Sequence, residues 1–414
     1  MYMSYRIISR VVGLIGACGL LLVAPAALTA QAQADFPTPN APAPYGLDVV
    51  TYETTQVYAG PGATYPQTGV LPGGEPVRVL ARSYTGNWLN IVAPGRGDDG
   101  DGDGTADDLY GWILTGYVDM TGIRLSLLDV DPLPDGDPDS VTDETLRPLV
   151  SVPVVPREVD PAMLEIYARG QARGIDAAVV TKVGDSNSAN RLYLTPLSSG
   201  DYDLGPYDFL SETAAHFAAS LAERSVAAQV GLNAFSVFDP FWANSTACNP
   251  DETPLACEYR VQRPLVAVIL FGPNDLRVLN STEYAEQMRR IVEETLAAGV
   301  IPVLSTFSAN PADAIWPQAV RFNTILVELA AEYAVPVVNL WLAAAALDNR
   351  GIGEDNVHLT AAGERIDFSA GREARFGVPL QNLIVLHTLD VIRQVVAAAG
   401  ADPGAGPAAD GAGG

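Results

Sequence analysis

Between residues 177 and 341, five short apolar runs alternate with amphipathic helical stretches, and this alternation limits the fold more than any other feature of the chain. The runs are AAVVTKV (177–183), VAAQVGL (226–232), LVAVILF (265–271), IPVLST (301–306) and VPVVNLW (335–341). Strands that are apolar on both faces and separated by helices belong in a parallel sheet covered on two sides. The helices read through SETAAHFAASLAE, STEYAEQMRRIVEETLAAG and PQAVRFNTILVELAAEY, with NLIVLHTLDVIRQVV as an apolar helix near the C-terminus. The predicted fold class is therefore α/β, a three-layer parallel-sheet domain.

A chain of 414 residues exceeds one ordinary core, so a second folded unit is expected. Before the α/β region, VVTYETTQVYA, EPVRVLARS, NWLNIV and YGWILTGYV are short β-type runs broken by Gly-Pro-Gly and Pro-Gly-Gly turns, the pattern of a small all-β barrel or sandwich. The predicted organisation is a signal peptide at 1–34, a Pro-rich linker at 35–48, the small β-barrel at 49–122 and an acidic Pro-rich linker at 123–161. The α/β domain at 162–399 and a Gly/Ala/Pro tail at 400–414 complete it. The signal reading rests on Arg6 and Arg10, the apolar segment 11–23 and the small residues Ala32-Gln33-Ala34 before Asp35. It places the mature chain outside the cytoplasm, secreted or in the cell envelope. A formal charge of -25 excludes nucleic acid as a natural partner, because such a surface repels a phosphate backbone.

Export gives the cysteines a meaning. Cys248 and Cys257 flank ACNPDETPLAC, and in an oxidising compartment this pair is expected to form a disulfide that staples a loop. In the β-module, Asp99, Asp101, Asp103 and Asp107, with Gly104, follow the rhythm of a calcium loop. The twelfth position, where a bidentate acid belongs, is Tyr110, and a solvated acidic hairpin loop fits the same residues. Weak structural calcium is the most this segment implies, and no cofactor is required for chemistry elsewhere.

Only 3 histidines are present, which narrows the search for a base. His216 lies on a helix with no acid placed to orient it, and His387 lies in an apolar helix as a core residue. His358 occurs in GEDNVHLTAAGERI after the last strand, with Asp355 three residues earlier and Thr360 placed to cap the next helix. That spacing lets the Asp355 carboxylate accept from one ring nitrogen, leaving the other to act as a base. Ser186, in VGDSNS, sits on a glycine-started turn directly after the first strand. Asn274, in FGPNDLR, follows the strand LVAVILF. Sites in parallel α/β sheets form at the carboxyl ends of strands, so these residues are expected to converge.

The fragments VGDSNSA, QVGLNAFS, FGPNDL and EDNVHLTAAG, in this order, resemble the GDSL-type, or SGNH, hydrolase family, with its flavodoxin-like fold, across roughly residues 174–398. The resemblance implies that Ser186 is a nucleophile completed by His358 and Asp355, and that Asn274 lines an oxyanion hole with the backbone N–H of Ser186. The family's further donor is a glycine in Asn-x-Gly-x-Ser-Gly. Here Ala234 takes that place, with Gly231 as the fallback. The segment VYAGPGATYPQTGVLPGGEPVRVL, with GNWLNIV and GWILTGYV, resembles the bacterial Src-homology-3-like domain, although Tyr58 stands where that family has an arginine. Together the resemblances imply a secreted serine esterase acting on an O-acetyl or short-chain ester of an extracellular glycan or lipid, with cell-wall material as a partner of the β-module. A catalytically inactive surface-binding protein, and an O-acyltransferase using the same three residues, are the alternatives.

Overall fold

The computed structural model describes residues 48–63, 65–83, 86–98, 105–120, 125–130 and 145–401. The signal segment, nearly all of the first linker, Asp99, Asp101, Asp103 and the tail after residue 401 lie outside the described residues.

The N-terminal module is one antiparallel sheet of six strands. These are β1 (Asp48–Val50), β2 (Thr55–Tyr58), β3 (Gln67–Leu71), β4 (Pro76–Arg82), β5 (Trp88–Ala93) and β6 (Leu109–Leu114), in the order β1-β4-β5-β6-β2-β3. Along β5, exposure alternates residue by residue, so Leu89, Ile91 and Ala93 enter a compact core with Val57, Leu71, Val77 and Val79. This period of two is what a half-buried strand requires.

The region read as an acidic linker behaves differently where it is described. Leu127, Val130, Leu149, Val150, Val154 and Val155 are buried in the core of the α/β domain, and α1 (Arg147–Val150) lies within it. Leu128 instead enters the core of the β-module. The prolines and acids of this stretch suggest an exposed connector, but its aliphatic residues decide where the chain goes because burying them is favourable. Arg82 of β4, buried, ties the modules together by donating to the Leu125 carbonyl at 2.8 Å and the Leu342 carbonyl at 3.4 Å.

The α/β domain continues with α2 (Ala162–Ala172), β7 (Asp176–Gly184), β8 (Tyr202–Asp203), α3 (Ser211–Leu221), α4 (Pro254–Gln262) and β9 (Pro264–Leu270). It is completed by α5 (Ser281–Ala298), β10 (Ile301–Ser305), α6 (Trp316–Tyr333), β11 (Val337–Val338), α7 (Leu340–Ala344), β12 (Ile366–Asp367) and α8 (Gly377–Ala401). The main sheet is parallel with the order β11-β10-β9-β7, and β8 pairs with β12 apart from it. All seven residues of β9 are buried, so both faces of the sheet are covered. Helices α3 and α8 pack on one another, as do α5 and α6. Helix α5 starts on an Asn280–Glu283 capping box and ends at Gly299 in the left-handed region.

The run VAAQVGL is not a full strand. It makes a single parallel bridge, Ala228 to Gly184, held by Gly184 N–H to the Ala227 carbonyl at 3.0 Å and Gln229 N–H to the Gly184 carbonyl at 3.1 Å. Gly231, at φ 86°, turns the chain away immediately afterwards and leaves Val230 exposed. The segment thus lies beside the end of β7, next to Ser186.

Candidate active site

Ser186 follows Gly184, the last residue of β7. A Cβ at that glycine would lie 2.1 Å from the Leu270 carbonyl oxygen and 2.3 Å from Ser188 Oγ, and its φ of 155° suits glycine alone. The tight approach of the two strand ends thereby depends on having no side chain there. Past it, Asp185 Oδ1 accepts the Asn187 N–H at 2.8 Å and the Asp185 carbonyl accepts the Ala189 N–H at 2.9 Å, a turn that presents the half-buried Ser186 side chain.

From the other end of the domain comes the loop 353–359. His358 Nε2 lies 2.8 Å from Ser186 Oγ, and His358 Nδ1 lies 2.6 Å from Asp355 Oδ2. Asp355 Oδ1 accepts two backbone N–H groups, those of Val357 and His358, each at 2.9 Å. The His358 ring donor, then its backbone N–H, hold the Asp355 carboxyl down to about 2, so it is ionised and can only accept. Nδ1 must therefore carry the proton, and Nε2 presents a lone pair to the serine hydroxyl. Thr360 does not cap an adjacent helix; its hydroxyl accepts the Gly377 N–H at 3.0 Å, at the start of α8.

Asn274 follows β9 after Gly272, whose absent Cβ makes room for the Phe307 ring, 2.1 Å from where that atom would be. Asn274 Nδ2 donates to the Leu232 carbonyl at 3.0 Å, which fixes the plane of its amide. Ala234 requires a correction. Its single N–H is buried and donates to Asp275 Oδ1 at 2.8 Å, so it is committed to a carboxylate and not offered to a substrate oxygen. Gly231, the fallback, packs beneath Trp242.

Two features of the site escaped the sequence reading. One is Asn187, whose side chain bonds to both neighbours of His358. The other is a pair of buried acids, Asp185 and Asp275, each with one carboxyl oxygen that has no hydrogen-bond partner among the described residues. Burial pushes Asp185 up to about 7 against the lowering effect of the Asn187 N–H, and the nearby Asp275 adds to the rise. Burial likewise pushes Asp275 up to about 6, opposed by the N–H groups of Ala234 and Gly272. An Asp in the unfolded chain titrates near ~3.9. From there up to about 7, folded Asp185 keeps a proton that the unfolded chain has released. The stability it contributes is complete below that window and lost as pH rises through it. Asp185→Asn retains an acceptor for Asn187 and has nothing to titrate. Its melting temperature is expected to gain on wild type progressively between about pH 4 and pH 7.5, as read by thermal unfolding at stepped pH; parallel curves would refute this.

The other residues that the sequence singles out fall outside this cluster. His216 is exposed and its Nε2 lies 3.0 Å from the Ala177 carbonyl. His387 is buried in α8, edge-on to Phe209, and burial pushes it down to about 4. Cys248 and Cys257 form a disulfide across Cα atoms 5.3 Å apart, anchoring the 248–257 loop to α4. Of the four proposed calcium ligands, Asp99, Asp101, Asp103 and Asp107, only Asp107 is described, and its carbonyl accepts the Gly97 N–H at 2.6 Å.

Residues 183–366 match the family model described as GDSL-like Lipase/Acylhydrolase, and residues 53–119 match that of the bacterial SH3 domain. No curated protein matches the chain. Among solved structures, the chain is similar to an α/β hydrolase enzyme from the metagenome of Lake Arreo, Spain, at 14% identity and TM-score 0.33, over 53% of this chain and 98% of that one. It is similar to a GDSL-like lipase from Bacteroides thetaiotaomicron at 12% identity and TM-score 0.34, over 56% and 98%. An acetylxylan esterase from Geobacillus stearothermophilus aligns at 17% identity and TM-score 0.34, over 51% and 93%.

Proposed function

We propose, from the premise that residues 183–366 form a GDSL-like lipase/acylhydrolase domain and that the chain is an ester-bond hydrolase, that Ser186, His358 and Asp355 perform the hydrolysis. The observation that carries this is the unbroken line of hydrogen bonds from Ser186 Oγ through the imidazole to Asp355. His358 Nε2 takes the hydroxyl proton as Ser186 Oγ bonds to the ester carbonyl carbon. The tetrahedral oxyanion is held by the Ser186 N–H and by the second N–H of the Asn274 amide. As the C–O bond breaks, the imidazolium gives its proton to the departing alcohol, leaving an acyl-serine. Water then repeats the sequence, losing a proton to His358, and the acid leaves.

The substrate is proposed to be an O-acetyl or short-chain ester on an extracellular glycan, reached after export through the N-terminal segment. Two observations support a polymer. The His358 and Asp355 side chains are 51% and 53% exposed, an open site that a bulky alcohol can approach. The same chain carries a bacterial SH3 domain, compatible with holding cell-wall material. A lipid ester is the second reading, favoured by exposed Val230, Phe235 and Phe241 on the segment that runs beside the strand ends. A nitrophenyl ester series separates the two. The glycan reading expects kcat/KM for acetyl to exceed that for octanoyl by about 10-fold or more, since a pocket that rejects added methylenes discriminates at that level. Equal or better turnover of octanoyl would transfer the assignment to lipid.

A further inference from the structure

We infer that Asn187 is a positioning residue for His358, an inference that rests on reading Ser186 and His358 as nucleophile and base. The Asn187 side chain is 4% exposed, while the histidine it serves stands on an open loop. Its Nδ2 donates to the Val357 carbonyl at 3.2 Å, and its Oδ1 accepts the Leu359 N–H at 3.2 Å. These backbone groups belong to the residues on either side of His358. One planar amide thus holds the peptide before and after the imidazole, across about 170 residues of chain. Its own N–H is held by the buried Asp185 carboxyl group, so the clamp is built into the turn that presents Ser186.

Burial cannot hold the imidazole against Ser186, because half of its side chain faces water. The bonds inside the loop, Gly353 N–H to the His358 carbonyl and the Asp355 acceptor set, shape the loop without tying it to the serine. A second tie, Asn310 Nδ2 to Asn356 Oδ1 at 3.0 Å, comes from after β10. Asn187 alone of these comes from the nucleophile's own turn. The task needs a donor and an acceptor side by side on one rigid group, which an amide supplies. An ionised carboxylate has only acceptors and would oppose the Val357 carbonyl; an alanine would reach neither group.

The test uses Asn187→Ala and Asn187→Asp in the full chain, with the reactive serines counted by a fluorophosphonate probe. Per labelled serine, kcat is expected to fall about 10- to 100-fold with KM unchanged, the scale of a small misplacement of reacting groups. The rate of labelling should fall by the same factor. In Asn187→Asp the acidic limb of the pH–rate profile should move to higher pH, because a new acid held against the peptides that flank His358 favours the charged form of its ring. A purely structural role would lower the count of reactive serines and leave turnover per serine and the limb where they were, which would overturn the inference. If alanine unfolds the chain, the isosteric aspartate, which retains the acceptor for Leu359, carries the test. Wild-type labelling that is lost in Ser186→Ala secures the underlying reading separately; with it secured, unchanged Asn187 variants sink the positioning role alone.

Discussion

Ser186→Ala is expected to remove essentially all ester hydrolysis, a fall in kcat of about 10⁶-fold, and to abolish fluorophosphonate labelling. The argument is one of replacement. An alanine removes the hydroxyl that lies 2.8 Å from His358 Nε2 and leaves in its place a methyl group with no proton to give. Water admitted to that space could be activated by the same imidazole, but it is neither held in line with a carbonyl nor able to form the acyl intermediate, so only the residual advantage of bound substrate and oxyanion donors remains. The fold should be untouched, since the change deletes one half-buried hydroxyl, and a thermal melt should superimpose on wild type. A purified Ser186→Ala that hydrolyses nitrophenyl acetate at a tenth of the wild-type rate or better would mean that another residue is the nucleophile.

Asp355→Asn is expected to lower kcat by about 10³- to 10⁴-fold, and the local geometry says why the isostere should be the worse choice. Oδ1 of Asp355 already accepts the Val357 and His358 N–H groups. The asparagine oxygen must stay in that position, or two N–H donors would face an NH₂ group. Its amide nitrogen is then turned toward His358 Nδ1, which has to accept, and the proton moves to Nε2. In that tautomer the ring can no longer take the Ser186 proton. Asp355→Ala imposes no such tautomer, and with half of the histidine exposed, water can satisfy Nδ1. Alanine should therefore retain more activity than asparagine. Because the aspartate is held down to about 2, the loss should be the same across the whole pH range in which wild type is active. An asparagine variant within tenfold of wild type, or ahead of the alanine variant, would refute the orienting role.

What could be read from the chain and what could not divides on the distance over which residues act. The strands β7, β9 and β10 and the helices α3, α5 and α6 are legible because periodicity is local: the apolar stretch of β9 is continuous. The same local logic marked Asp355 as a partner for His358. It failed at VAAQVGL, where a strand-like composition yields one bridge because Gly231 turns the chain. It failed also at the connector, whose aliphatic residues are drawn into two cores.

The sequence by itself determined the type of sheet, the chemical groups at its strand ends and their order along the chain. Only the tertiary structure decided that the Ala234 N–H belongs to Asp275, that Asp185 is buried enough to hold its proton, and that Asn187 grips both sides of His358. Each of these depends on a hydrogen-bond partner or a loss of solvent contributed from a distant part of the chain. A donor's affinity for an acceptor is encoded in its residue type, but which acceptor it meets is settled when the strands β7 and β9 align and the 353–359 loop closes over their ends.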